Sequence, residues 1–209
     1  MRIFLAGATG VIGRRVVPLL AGHGHVVTGL VRRPADADWL RGLGAEAVVG
    51  DVFDPEGVRQ AVSSAAPDVV MHQLTDLKGG NRRANSEMRI TGTRHLVDAA
   101  LAAGVRRIVA QSIAWAYEPG TVPAAEDVPL DLGADESRLR TVQGVAAGRE
   151  WVPAFCRAVG VREPVVAVGR ERHGWARGAA NGFARTALNW TPAWPSWRDG
   201  FAALLEAPC

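Results

Sequence analysis

The feature that most constrains this chain lies at its start. Arg2-Ile3-Phe4-Leu5-Ala6 is a short apolar run, and Gly7-Ala8-Thr9-Gly10-Val11-Ile12-Gly13 follows it at once. A continuously apolar run reads as a strand covered on both faces. Residues 10–22 then read as a helix, with Val11, Ile12, Val16, Val17, Leu19 and Leu20 on one broad apolar face. Passing from strand to helix through three glycines demands a tight turn, because glycine tolerates backbone angles that other residues avoid. Such a turn gathers main-chain N–H groups at the positive end of the helix dipole. A pyrophosphate can be held there without a side-chain cation. Gly7, Thr9, Gly10, Val11, Ile12 and Gly13 form this candidate dinucleotide cradle, with Gly13 letting the helix approach the sheet. The competing reading is a vestigial turn that keeps its shape without a ligand.

The pattern repeats downstream. Strands are expected over residues 25–31, 45–49, 68–72 and 107–110, with helices over 36–42, from Pro55 onward and over 84–103. Asp54-Pro55 is a helix start, with Asp54 as N-cap and Pro55 in the first turn. Strands alternating with helices imply a parallel sheet. The fold class is therefore α/β, a Rossmann-like doubly wound parallel sheet. After about residue 112 the text changes. Residues 113–135 hold Pro119, Gly120, Pro123 and Pro129 and read as a long loop, and residues 137–160 as a weakly patterned helix broken near Pro153. Residues 163–168 offer one more strand, and the last 35 residues hold Trp175, Trp190, Trp194 and Trp197. The expected division is a dinucleotide-binding domain over 1–148 and a reduced C-terminal segment over 149–209 packed on it.

Cofactor choice should be legible at the end of the second strand, where an acidic residue would bond the ribose hydroxyls of NAD. Arg32 and Arg33 stand there instead. A guanidinium pairs well with a 2′-phosphate, so NADP is expected over NAD. The alternative is two solvated charges before Pro34. Arg14 points the same way, since a cation in a helix's first turn opposes the dipole unless an anion is near. Asp51 could accept from the adenine amino group, with Val52 against the ring, or it could simply cap a turn. His72 ends the fourth strand near the place of a nicotinamide-side ribose, or serves as a structural histidine.

Composition narrows the partners. The charge of +3 is carried by arginine almost alone, with Lys78 the single lysine. No polybasic block or basic helix appears, so no nucleic-acid partner is expected. No apolar run is long enough to span a membrane, and no signal-peptide layout is present, so none is expected there either. Cys156 and Cys209 are the only cysteines, in no metal-ligand spacing, which fits a reducing cytoplasm.

These residues together resemble the extended short-chain dehydrogenase/reductase family, the NAD(P)-dependent epimerase/dehydratase group. The resemblance runs from Met1 to about Ala147. It rests on the glycine turn, Gly50-Asp51, Thr91-Gly92-Thr93-Arg94-His95-Leu96-Val97-Asp98-Ala99-Ala100 and Val105-Arg106-Arg107-Ile108-Val109-Ala110-Gln111-Ser112. The stretch from Ala187-Leu188-Asn189-Trp190-Thr191-Pro192 to Trp197-Arg198-Asp199-Gly200-Phe201 is similar to the family's C-terminal end. The resemblance implies a small-molecule substrate and a homodimer. It also implies a Ser or Thr after the fifth strand, matched by Ser112, then a Tyr-x-x-x-Lys pair on the next helix.

That pair is missing. Tyr117 is the only tyrosine and lies after Lys78, so no Tyr-x-x-x-Lys exists in the chain. Val142 and Ala146 stand in the two places, and neither can move a proton. The chain is also short for the family, as if an internal deletion near Ala147 had removed much of the substrate lobe. Ser112 and Tyr117 remain the candidate catalytic residues, with Glu118 beside them. Alternatively, Trp115 and Tyr117 anchor the loop by burial. Asp76, Lys78 and residues 81–85 could border the same cleft or be ordinary loop residues. The tryptophans could wall a substrate pocket or glue the C-terminal part to the sheet. Three functions follow: an NAD(P)-dependent oxidoreductase or epimerase with rearranged acid–base groups, a non-redox isomerase, cyclase or dehydratase on the same scaffold, and a non-catalytic NADP-responsive regulator.

Overall fold

A computed structural model describes residues 1–75, 81–125, 127–136, 138–147, 185, 186, 189 and 191. Five strands form one parallel sheet: β1 (Arg2–Ala6), β2 (Val26–Val31), β3 (Glu46–Val49), β4 (Val69–His72) and β5 (Arg107–Ala110). Their order across the sheet is β3-β2-β1-β4-β5, and every pairing is parallel. The expected Rossmann-like doubly wound sheet is the observed fold. The chain runs outward from β1 to β3 and then returns to β4 on β1's other side. A crevice therefore opens beyond the carboxyl ends of β1 and β4, where such sheets bind ligands.

Helices cover both faces. On one face α1 (Gly13–Gly22) and α2 (Pro34–Gly42) bury Val17, Ala37 and Leu40 against Leu5, Val27 and Val31. On the other, α3 (Pro55–Ala65) and the helix over residues 82–102 bury Val58, Val62, Leu96 and Val97 against Phe4 and Val70. Phe4 and Leu5 are neighbours that point to opposite faces, which is why β1 has no polar position after Arg2. Asp54 caps α3 as expected, accepting from Gly57 N–H at 3.1 Å, with Pro55 in the first turn.

The long helix differs from expectation in its interior. It consists of α4 (Arg82–Glu87), a π-helical turn over Met88–Gly92, and α5 (Thr93–Ala102). A π turn widens the helix by one residue and commonly marks a functional position. Hydrophobic spacing alone does not reveal it. The expected loop after β5 is also partly ordered by pairing, with a short 3₁₀ turn at Ala114–Ala116 and an antiparallel bridge between Tyr117 and Leu130. Residues 138–147 are helical and form α6. The expected strand over 163–168, the break near Pro153, the clustered tryptophans 175, 190, 194 and 197, and nearly all of the segment 149–209 lie outside the described residues.

The glycine turn is tight enough to exclude any side chain. A Cβ on Gly13 would lie 2.2 Å from the Gly7 carbonyl oxygen and 2.5 Å from that of Ala8. Gly7 has φ +94°, and a Cβ there would lie 2.6 Å from the Gln73 main chain. By contrast, a Cβ on Gly22, at the far end of the same helix, meets nothing within 4 Å. Gly13→Ala should therefore destabilise the fold by about 1–3 kcal/mol, because the clash is with main chain that cannot rotate away. Gly22→Ala should be neutral or stabilising by up to about 1 kcal/mol. Thermal unfolding of the two variants checks this, and equal midpoints would contradict the close packing described.

Candidate functional site

The turn after β1 is built by a few main-chain contacts. Gly10 N–H donates to Gly7 O at 3.0 Å and Arg14 N–H to Gly10 O at 2.9 Å. The helical ladder thus begins at Gly10, and the amides of Val11, Ile12 and Gly13 have no intrahelical acceptor. Val11 is 78% exposed and Ile12 also stands open to solvent. Unpaired amides, flanking apolar side chains and glycines that a Cβ would obstruct are what a pyrophosphate held by main chain requires. The residues present fit a dinucleotide.

The end of β2 carries the positive charge that the sequence suggests, with one arginine already engaged. Arg33 makes a two-pronged pair with Asp36, Nε–Oδ2 2.7 Å and Nη2–Oδ1 2.8 Å. These bonds hold the Asp36 carboxyl below its ordinary range, with burial partly opposing them and the charges of Arg33, Arg14 and Arg32 adding to them. Arg14 lies 4.5 Å from the centre of the Trp39 ring. Its Nε donates to Thr9 O at 3.0 Å, tying the guanidinium to the glycine turn. Three guanidiniums thus surround one carboxylate, which leaves a net positive rim beside the candidate adenosine side.

At the end of β3, Asp51 Oδ1 accepts from Phe53 N–H at 3.0 Å, so this carboxylate shapes its own turn. Val52 is buried, with its side chain packed where a Cβ on Gly92 would touch it. Its carbonyl lies 2.8 Å from His95 Nδ1. That clamp from α5 escapes sequence reasoning, because His95 looks like an ordinary exposed helix residue.

His72, at the end of β4, is buried and has both ring nitrogens engaged. Leu74 N–H donates to Nδ1 at 3.2 Å, and Nε2 lies 2.8 Å from Thr93 Oγ1. An accepting Nδ1 places the proton on Nε2, which then donates to the hydroxyl. Burial, with a smaller contribution from the Arg89 charge, pulls the His72 pKa down to about 4. The ring braces β4 against the long helix.

The fifth strand delivers Ser112 to the same edge, where it is exposed. Gln111 N–H pairs with His72 O at 3.0 Å and fixes this end of β5 beside β4. Tyr117 follows on the ordered loop and is half-buried. Its main chain is pinned by Arg138, whose Nη2 donates to Tyr117 O at 2.8 Å while Nη1 bonds Asp131. Thus Ser112 and Tyr117 share one loop. The side chain of Trp115, together with Asp76 and Lys78, lies outside the described residues. Within residues 81–85, Asn81 caps α4 through Ala84 N–H at 3.1 Å. Val142, in the tyrosine's expected place on α6, has no exposed surface and packs with Ala116 and Val145. Gly144 and Ser86 draw α6 against the long helix, with Ser86 Oγ donating to Arg140 O at 3.1 Å. Val142 and Val145 of α6 thus lie in a small apolar core.

Arg89 is the residue that sequence reasoning missed. It sits on the π turn, only 6% exposed, and its Nη1 lies 3.5 Å from Gln111 O. Its Nε has no acceptor among the described residues, and neither Arg89 nor the equally unpartnered Gln73 Oε1 is exposed. The available signal was an arginine on the same helical stripe as Thr93 and Leu96, where an apolar residue belongs. Among the described residues no cluster of His, Cys, Asp and Glu could hold a metal. No helix there is long and apolar enough to cross a membrane.

Comparison with known proteins places this geometry. Residues 7–142 match the family described as NAD(P)H-binding. The 3-diazoavenalumate denitrifying reductase of a Streptomyces species is 33% identical, over 96% of this chain and 99% of that protein. The alignment runs over 307 positions, whereas this chain has 209 residues, so a large part of the relative has no counterpart here. Sterol demethylase protein B of Methylococcus capsulatus is 30% identical over 68% of this chain, which spans 44% of that protein. A short-chain dehydrogenase/reductase superfamily protein from Agrobacterium tumefaciens, solved with bound NAD, superposes with a TM-score of 0.61 at 30% identity. That match covers 76% of this chain and 46% of the other. The chain belongs to the NAD(P)H-binding family, within the short-chain dehydrogenase/reductase and epimerase group.

The His72 environment gives a pH signature. A histidine held neutral when folded but protonated when unfolded destabilises the native state as acid is added. Its contribution is complete above about pH 6.5 and is lost as pH falls toward 4, by about 3 kcal/mol in all. His72→Gln should flatten the dependence of unfolding free energy on pH across that window. A variant profile as steep as that of the native protein would contradict the assignment.

Proposed function

We propose that this chain is an NADPH-dependent reductase of a small molecule whose electrophilic centre already carries positive charge. A diazonium group is the class that fits best. The observation that carries this reading is Val142, wholly buried where the family's proton-donating tyrosine belongs. A carbonyl needs a proton on oxygen as hydride arrives at carbon, and losing a positioned acid costs about 100- to 10,000-fold in rate. A cationic acceptor needs no such proton. The 33%-identical Streptomyces relative bears a name that describes reductive denitrification of a diazo compound, which supports the same class here.

The chain's own residues divide the work. The amides of Val11, Ile12 and Gly13 hold the pyrophosphate, and Gly7 and Gly10 keep the turn open to it. Arg32 and Arg14 receive the 2′-phosphate, with Arg33 already neutralised by Asp36, so NADP is taken in preference to NAD. Asp51 and Val52 border the adenine. His72 supports the floor beneath the nicotinamide ribose, and Ser112 orients the substrate. A bound reduced nicotinamide supplies the hydride. Addition to the outer nitrogen of the diazonium gives a neutral aryldiazene. Loss of dinitrogen then returns that hydrogen to the ring carbon, so one hydride is consumed and no external proton is required. Tyr117, the only phenol, is the acid that a carbonyl acceptor would have to use instead.

Two measurements test this. NADPH oxidation, followed with an arenediazonium salt and with neutral aryl ketones, should exceed the enzyme-free rate with the diazonium alone. Tyr117→Phe should leave that rate within about two-fold, whereas a drop of the size expected for a lost acid would restore carbonyl-type chemistry. Binding without turnover would favour an NADP-responsive regulator, and no binding a non-redox enzyme. Separately, Arg32→Ala should lower the preference for NADPH over NADH by about 10-fold, the loss of one charge-assisted hydrogen bond. Unchanged discrimination would remove Arg32 from the phosphate site.

A further inference from the structure

Among the described residues, Arg89 is a buried cation without a counter-charge. It is 6% exposed and lies on the π turn at Met88–Gly92. Its one hydrogen bond among the described residues is the long contact from Nη1 to Gln111 O at 3.5 Å. Its Nε is fully enclosed and meets no acceptor among the described residues. None of the ion pairs formed by the described residues includes it. A guanidinium carries more N–H donors than one long contact can use. Withdrawing it from water costs several kcal/mol unless an anion or a full set of hydrogen bonds compensates. Replacement by a well-packed apolar residue would cost the fold less, so stability alone does not account for an arginine here.

Its position narrows which anion it can meet. Gln111 is the residue between β5 and Ser112, at the carboxyl edge of the sheet. The main chain of Gln111 is bonded to His72 at the end of β4. Next to His72, Gln73 backs onto Gly7 and carries an enclosed Oε1 without a donor. A buried donor and a buried acceptor, neither with a partner among the described residues, thus flank the edge shared by β4 and β5. The places proposed for the dinucleotide's phosphates lie at the start of α1 and the end of β2, whereas Arg89 bonds the residue that follows β5. His72 is held neutral and supplies no charge of either sign.

We propose that Arg89 is the floor of a substrate-carboxylate subsite, pairing with an acidic group on the small molecule and setting its reacting end beside Ser112. This rests on the reading of the crevice as the reductase site. It narrows the substrate class to organic acids that carry the electrophile elsewhere on the molecule. The planar guanidinium matches a carboxylate in two-point geometry, which fixes direction as well as position. Gln73 Oε1 would then accept from a hydroxyl or amide N–H on the same substrate.

The test uses cinnamate and its neutral isostere cinnamamide as probes of the full-length protein saturated with NADPH, followed by titration calorimetry. Cinnamate should bind at least about 10-fold more tightly than cinnamamide, as expected for a charge-assisted pair in a desolvated pocket. Arg89→Met should abolish that preference while leaving NADPH affinity unchanged, and Arg89→Lys should keep part of it. Equal affinity of the two probes for the native protein would overturn the subsite whether or not either variant folds. Cinnamate preference retained in Arg89→Met would overturn it as well. The two readings fail separately. Carboxylate preference without any NADPH-dependent turnover would sink the reductase and keep the subsite. Diazonium turnover without carboxylate preference would do the reverse.

Discussion

Everything in this molecule is referred to the approach of α1 to β1. The Gly7 and Ala8 carbonyls lie so near Gly13 that no side chain fits between them. That contact fixes where the helix begins, and hence where its first unpaired amides point. It also brings Gly7 onto the main chain of Gln73, across the switch between β1 and β4. One steric constraint therefore sets the cradle, the crevice and the relation between them. The remaining devices reinforce it from outside. Arg14 ties the turn to Trp39 and the rim of α2, while His72 and His95 tie the strand ends to the long helix.

The place where the family resemblance puts an acid pair is taken by apolar packing. An acid pair that must face a pocket is polar, partly solvated and costly to bury. Val142 and its neighbours replace it with a small apolar cluster that joins α6 to the loop after β5. That packing joins two segments of the described chain and brings no proton donor with it. Tyr117 is held on the opposing loop by Arg138, which bonds its carbonyl and is itself paired with Asp131, and by its bridge to Leu130. In the proposed reductase, this arrangement suits acceptors that take hydride without a proton.

The sheet was legible because each strand of the first half is a short apolar run bounded by turn residues. The glycine turn was legible because only one geometry explains three glycines between a strand and a helix. Asp54 announced its own cap. The π turn was hidden, since inserting one residue into a helical ladder leaves hydrophobic spacing nearly intact. Arg89 was hidden for a related reason. A sequence shows an arginine on a helix, but only packing shows that its guanidinium is enclosed and lacks a carboxylate. The double engagement of His72 required two partners, two and 21 residues away, which no local pattern encodes. Arg33 read as a phosphate ligand by its place after β2, whereas its pairing with Asp36 depends on the start angle of α2.

The account stands on the claim that first-turn amides of α1 take the phosphates of a dinucleotide. Hydrogen–deuterium exchange of the full chain with and without saturating NADPH tests that claim most directly. Slowed exchange should concentrate in residues 8–14, with a second zone at residues 31–34. The faces of α3 and α5 that look away from the crevice should be unaffected. Unchanged exchange at residues 8–14 under conditions where NADPH is shown to bind would contradict the account, because the cofactor would then be held by some other part of the molecule.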